Sequence, residues 1–305
     1  MNAAFKLTIV LCVLCISFSC NKTADTNQET ILKGNATLLV DATLMPVMED
    51  QVQIFESRYE ATLKMVAQSE TEVIQSLIKD TSSIAVLSRK LNADELKIFA
   101  NRKIIPKITP FAIDAVALIT NKNSNDTLID INVVIDFMKG LSSSPKIKGL
   151  VFDNPNSSTV RYMNKLAGIT SIPQKGVFSF GTNNEVIKFV SNNEGMIGVI
   201  GLNWLTQPRA DMQQFLDKIT VLSVKGTQQK EYFAPSQNTI GEGNYALTRE
   251  LFIVNCQGFS GLGMGFASFV AGDIGQRIIL KSGLLPYRVP PRKLSIRKQI
   301  SNDKK

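Results

Sequence analysis

Polar and apolar positions fall into blocks along this chain, and the spacing inside the blocks switches between the period of a strand and that of a helix. Residues 36–40 are a short apolar run ending in β-branched Val40, and Asp41-Ala-Thr-Leu-Met-Pro46 follows as a loop signal. From 47 to 63, Val47, Met48, Val52, Phe55 and Tyr59 recur near helical spacing, which predicts strand, polar loop, helix. Residues 63–66 predict a second strand. Residues 71–79 predict a second helix, with Val73, Ile74, Leu77 and Ile78 on one face. Residues 84–87 predict a third strand, Ser88-Arg-Lys90 follows it, and Asn92-Ala-Asp-Glu95 opens a third helix.

The pattern then repeats. Residues 111–120 read as a strand too long for one small lobe, 128–139 as a helix and 148–152 as a strand. The turn-rich loop 153–159 opens a helix at Val160, and 194–201 and 244–255 read as further strands, the last one long. Such alternation predicts an α/β fold with mostly parallel sheets and right-handed crossovers. The two long strands are expected to pass between two lobes. Ligands of open sheets sit off the carboxyl ends of the strands. The loops expected there, 41–45, 68–70 and 88–90, are polar and bear Ser or Thr. The first two also precede helices, whose free N–H groups favour an anion by ~0.3–1 kcal/mol. The glycine-rich stretch 258–265 lacks the acidic partner and following βαβ unit of a nucleotide site, and reads as a mobile loop before a helix at 266–280.

Composition narrows the chemistry. The 305 residues include no histidine, which excludes Ser-His-Asp and Cys-His catalysis and histidine metal sites; catalysis through Asp, Glu, Lys or Ser stays open, but no enzyme activity, metal or cofactor is expected. Cys256 stands alone behind an apolar run and is expected to be a buried small apolar residue. The net charge is +8, but the segment 287–305 carries seven positive residues against Asp303 alone, so the rest of the chain is nearly neutral. That tail has no aromatic interleaving, so it reads as solvated or as contacting anionic lipid rather than as binding nucleic acid. At the other end, Lys6 precedes an apolar run at 7–18, too short to span a bilayer core of ~30 Å. Ser17-Phe-Ser-Cys20 then resembles the lipobox of bacterial lipoproteins, which implies acylation of Cys20, although Ser17 stands where an aliphatic residue is usual. An ordinary secretory signal cut nearby is the alternative.

A series of stretches carries a further resemblance. They are Ala42-Thr-Leu-Met-Pro46, Ile84-Ala-Val-Leu-Ser-Arg-Lys-Leu91, Pro110-Phe-Ala-Ile-Asp114, Asn156-Ser-Ser-Thr-Val-Arg161, Gly195-Met-Ile-Gly-Val-Ile-Gly201, Tyr245-Ala-Leu-Thr-Arg249, and Gly275-Gln276 with Gly283-Leu-Leu-Pro286. In order and spacing they resemble the phosphate-binding protein family of ABC importers. The resemblance implies a two-lobed periplasmic-binding-protein type II fold, each lobe a mostly parallel sheet flanked by helices, with two crossover strands at the hinge. The expected parts are a signal peptide at 1–19, lipidated cysteine and tether at 20–34, a first lobe at 35–112 and 247–295, a second lobe at 113–246, and a basic tail at 296–305.

It also implies a ligand site of Thr43, Leu44, Ser69, Ser88, Arg89, Ser157, Ser158, Thr159 and Arg161, with Asp114 at the hinge or accepting a ligand proton. Two departures stand out: Asp153 replaces the family's usual arginine before the Ser/Thr cluster, and Ser158 replaces its central glycine. The cation is therefore expected to have moved to Arg89. The function implied is capture of phosphate and delivery to ABC permease subunits, by a monomer lipid-anchored in the periplasm. Binding or sensing of another oxyanion is the alternative, with a hydrolase or a structural surface lipoprotein behind it.

Overall fold

The computed structural model describes residues 29–141, 147–173 and 175–289. The expected leader, Cys20 and the basic tail at 296–305 lie outside these residues.

Three parallel strands start the fold: β1 (Lys33–Asp41), β2 (Glu60–Gln68) and β3 (Ile84–Leu87). Helices α1 (Met45–Arg58), α2 (Glu70–Lys79) and α3 (Ala93–Asn101) follow them in turn. Each start has a local cause. Pro46 sits in the first turn of α1, where its missing N–H costs nothing. Ser69 and Asn92 cap α2 and α3 in capping boxes with Glu72 and Glu95.

Strand β4 (Lys107–Asn121) is the spine of the molecule. Its first part, to Ala115, lies antiparallel to β11 (Thr248–Asn255); Val116 to Thr120 lie antiparallel to β8 (Met196–Gly201). Parallel to β8 runs β6 (Gly149–Phe152), and then β7 (Val177–Ser179). The strand order is thus β2-β1-β3-β11-β4-β8-β6-β7, one curled sheet whose halves share β4; β9 (Ile219–Val221) and β12 (Leu285–Pro286) also pair with β4, and β5 (Leu128–Asp130) pairs apart with β10 (Ser223–Lys225). Helices α4 (Ile131–Met138), α5 (Ser158–Ala167) and α6 (Asn183–Asn192) belong to the second half; α7 (Leu262–Ala271) and α8 (Asp273–Lys281) return to the first. This is the two-lobed type II arrangement. A hydrophobic cluster including Leu38, Phe55, Phe111, Val116, Leu150 and Phe266 runs through both halves.

Several boundaries differ from the sequence expectation. Helix α1 stops at Arg58 rather than 63: Tyr59 is extended, and Ala61 and Leu63 turn inward on β2, where the alternation of a strand overlaps the continuing helical spacing. The helix expected at 128–139 begins only at Ile131, capped by Asp130. The strand expected at 244–255 begins at Thr248; residues before it tie the halves together, with Val116 N donating to Leu247 O and Tyr245 Oη donating to Val116 O. The expected helix at 266–280 is two helices that part at Gly272, and the glycine-rich stretch is already helical from Leu262. Gly265 there lies so close to the backbone of Ile31 that a Cβ would fall 1.6 Å from its carbonyl oxygen. The tether also ends early, because Lys33 and Gly34 already pair in β1.

Candidate functional site

The cleft lies where the carboxyl ends of β1, β2, β3 and β6 face one another across β4. Its centre is Arg249. Antiparallel pairing of β11 with β4 puts Arg249 beside Asp114, and both side chains are buried. Arg249 Nε and Nη2 donate to Asp114 Oδ2 at 3.0 and 2.8 Å. Its Nη1 donates to Ser158 Oγ at 2.8 Å, and Nη2 donates to Thr43 Oγ1 at 3.3 Å. The two hydroxyls lie 2.9 Å apart, so Thr43 of the first half and Ser158 of the second meet on one guanidinium. Thr43 is fixed from both sides: Asp41 Oδ1 accepts its N–H, and its carbonyl accepts from Asn203 Nδ2 and Trp204 Nε1. Gly201, at the end of β8, leaves the room, since a Cβ there would sit 3.1 Å from Arg249 Nη2.

Electrostatics follow from burial. Desolvation pulls Arg249 down, but Asp114 and Asp41 outweigh it and hold the guanidinium above its ordinary value, so it stays charged. Desolvation raises Asp114 and Asp153, and Arg249 opposes the rise in both. Asp41 is pushed up to about 6, by burial first and by Glu70 second, against the pull of Arg249.

A second cluster surrounds Glu70, at the start of α2. Its carboxylate accepts from Ser88 Oγ at 2.9 Å, Arg89 Nε at 2.8 Å and Arg161 Nη2 at 2.7 Å. Arg89 also forks onto Glu95, with both bonds at 2.7 Å. The sequence placed the displaced cation at Arg89; the structure engages that guanidinium with two carboxylates and puts the buried cation at Arg249.

The remaining candidates separate by partner. Ser69 Oγ donates to Glu72 and caps α2. Ser157 caps α5, and its hydroxyl and that of Thr159 donate to Asp153 Oδ1 at 2.6 and 2.7 Å. Asp153, in the place of the family's arginine, thus orders the loop that presents Ser158. The Leu44 side chain is buried in the core at the turn into α1. Arg249 and Glu70 were not among the residues expected at the site. A signal did exist for Arg249: it is a lone cation at the head of an apolar strand, and Asp114 is a lone acid in another.

Comparison with known proteins agrees with this architecture. A family model described as the PBP superfamily domain matches residues 23–273. No curated protein matches the sequence. Among solved structures, a phosphate ABC transporter substrate-binding protein from Clostridium perfringens with phosphate bound superposes with a TM-score of 0.70 at 19% identity, over 84% of this chain and 100% of the other. An ABC-type phosphate transport receptor from Vibrio cholerae gives 0.63 at 16% identity, over 83% and 100%. PstS from Borrelia burgdorferi gives 0.54 at 22% identity, over 84% and 99%.

Proposed function

The chain belongs to the PBP superfamily, and from that premise we propose that it is an extracytoplasmic solute-binding protein that captures an oxyanion, phosphate foremost, between its two halves. It would hand the ligand to the permease of an ABC importer and be held at the membrane through Cys20. The observation that carries this reading is the meeting of Arg249 with Thr43 and Ser158. A buried guanidinium and two hydroxyls drawn from both halves offer an oxyanion donors that draw the lobes together. A cavity of about 590 Å³, lined by Ser88, Arg89, Arg161 and Tyr162 among others, reaches Arg249. The phosphate transport proteins from Clostridium perfringens and Vibrio cholerae share this fold, and the site supports the same class of ligand. With no histidine and no activated nucleophile at the cleft, the arrangement favours holding a ligand over transforming it.

The test is thermal unfolding of the purified protein against phosphate, sulfate and molybdate. Ligand at 100-fold over Kd stabilises by about 2.7 kcal/mol, which in a protein of this size raises Tm by roughly 4 °C. No shift with any oxyanion, together with no binding by calorimetry, overturns the reading.

A further inference from the structure

Glu70 is the first residue of α2, and only 2% of its side chain is exposed. Ser88, Arg89 and Arg161 close around it, the last through both Nε and Nη2. Ser88 and Arg89 come from the end of β3 in the first half, Arg161 from α5 in the second. A hydroxyl and guanidinium forks at a helix start are the donors a tetrahedral oxyanion would also use. Here the chain's own carboxylate has them, and the Glu70–Arg161 pair joins the two halves.

We propose that Glu70 is the resident anion of the cleft. In the ligand-free protein its carboxylate holds the donors of Ser88 and Arg161, and a captured oxyanion takes them over, while Arg89 stays with Glu95. Binding is then the exchange of one anion for another, and Glu70 determines which anions succeed. A dianion with tetrahedral oxygens brings more charge and more acceptors than a carboxylate and displaces it. A planar monoanion such as nitrate or acetate brings no more than Glu70 already supplies and does not. The inference rests on the oxyanion reading above, and it adds a specificity-determining residue that the Ser/Thr loops do not reveal.

The experiment is calorimetry of the full chain and of Glu70→Gln, with inorganic phosphate and with nitrate. Removing a like charge from beside the ligand and freeing Arg161 is expected to tighten phosphate binding at least about tenfold and to bring nitrate binding into the measurable range. Phosphate affinity that is unchanged or weaker in folded Glu70→Gln, with nitrate still unbound, overturns the inference and leaves Glu70 a structural tie between the lobes. Should Glu70→Gln fail to fold, Glu70→Asp keeps the charge but shortens the reach to Arg161; phosphate must then bind more tightly, and equal or weaker affinity overturns the inference. A silent wild type with a phosphate-binding Glu70→Gln overturns it too, because the dianion then fails to displace the resident carboxylate. If neither protein binds phosphate, sulfate or molybdate, the oxyanion reading itself falls and carries this inference with it.

Discussion

Replacing Arg249 by methionine should separate what this guanidinium does for the fold from what it does for a ligand. The change removes the hydrogen bonds to Asp114, Ser158 and Thr43 and leaves the Asp114 carboxylate fully buried with no counter-ion beside it. Opposite charges about 4 Å apart at an effective dielectric near 20 attract by ~4 kcal/mol. Breaking a buried pair from one side costs about 3–5 kcal/mol. Against a total stability of about 5–15 kcal/mol, Arg249→Met is expected to lose roughly a fifth or more. The double variant Arg249→Met/Asp114→Asn removes the stranded charge as well and should recover most of that loss, to within ~1–2 kcal/mol of wild type. Neither variant should bind oxyanion. Urea unfolding can be followed by the fluorescence of Trp204, the single tryptophan, whose Nε1 donates to Thr43 O beside the site. A loss below about 1 kcal/mol in the single variant, or a double variant no more stable than the single one, would refute the buried-pair argument. Phosphate affinity retained in Arg249→Met would refute the ligand role alone.

Three further changes probe other parts of the molecule. Asp41 is held near pKa 6, above its ordinary value, so the folded state takes up that proton before the unfolded state does, and stability falls as pH rises from about 4 through 6. Asp41→Asn should therefore stabilise the ligand-free protein at pH 7–8 by up to ~3 kcal/mol and give no gain near pH 4; a gain of equal size at both pH values in urea melts would contradict the sign. Ser158→Ala leaves Arg249 Nη1 without a partner and takes one of two hydroxyl contacts from Thr43, and should cost ~1–3 kcal/mol of stability along with most oxyanion affinity by calorimetry; unchanged affinity would remove Ser158 from the site. Cys20→Ser should release the protein from the membrane fraction, and unchanged association on fractionation would rule out the lipid anchor.

Much of the scaffold was legible because its signals are local. The Asn92 cap with Glu95 three residues on marks the start of α3, and the bounds of β3 follow from four apolar residues between Ser83 and Ser88. Where two periods overlap, as at Tyr59 to Leu63, local reading carried the helix into the strand. At the site the limit is distance along the chain. Ser158 and Thr159 are neighbours in one motif, yet one faces Arg249 and the other Asp153. Nothing in the string of residues says that Glu70 lies against Arg161, 91 positions away, or that Arg249 lies beside Asp114.

What decides the roles of the arginines is therefore where the carboxylates lie. At Arg89 an incoming anion would have to displace both Glu70 and Glu95 from one guanidinium, losing two charge-assisted pairs to gain one. At Arg249 the partners on Nη1 and Nη2 include the neutral hydroxyls of Ser158 and Thr43, and Asp114 balances the charge through Nε and Nη2. An anion there would take the place of neutral hydroxyls on Nη1 and Nη2 and would leave the ion pair with Asp114 intact. The swap of an arginine for Asp153 in the fourth loop is offset in the same way. Asp153 holds Ser157 and Thr159, α5 begins in register, and Ser158 is delivered to a cation that β11 supplies instead.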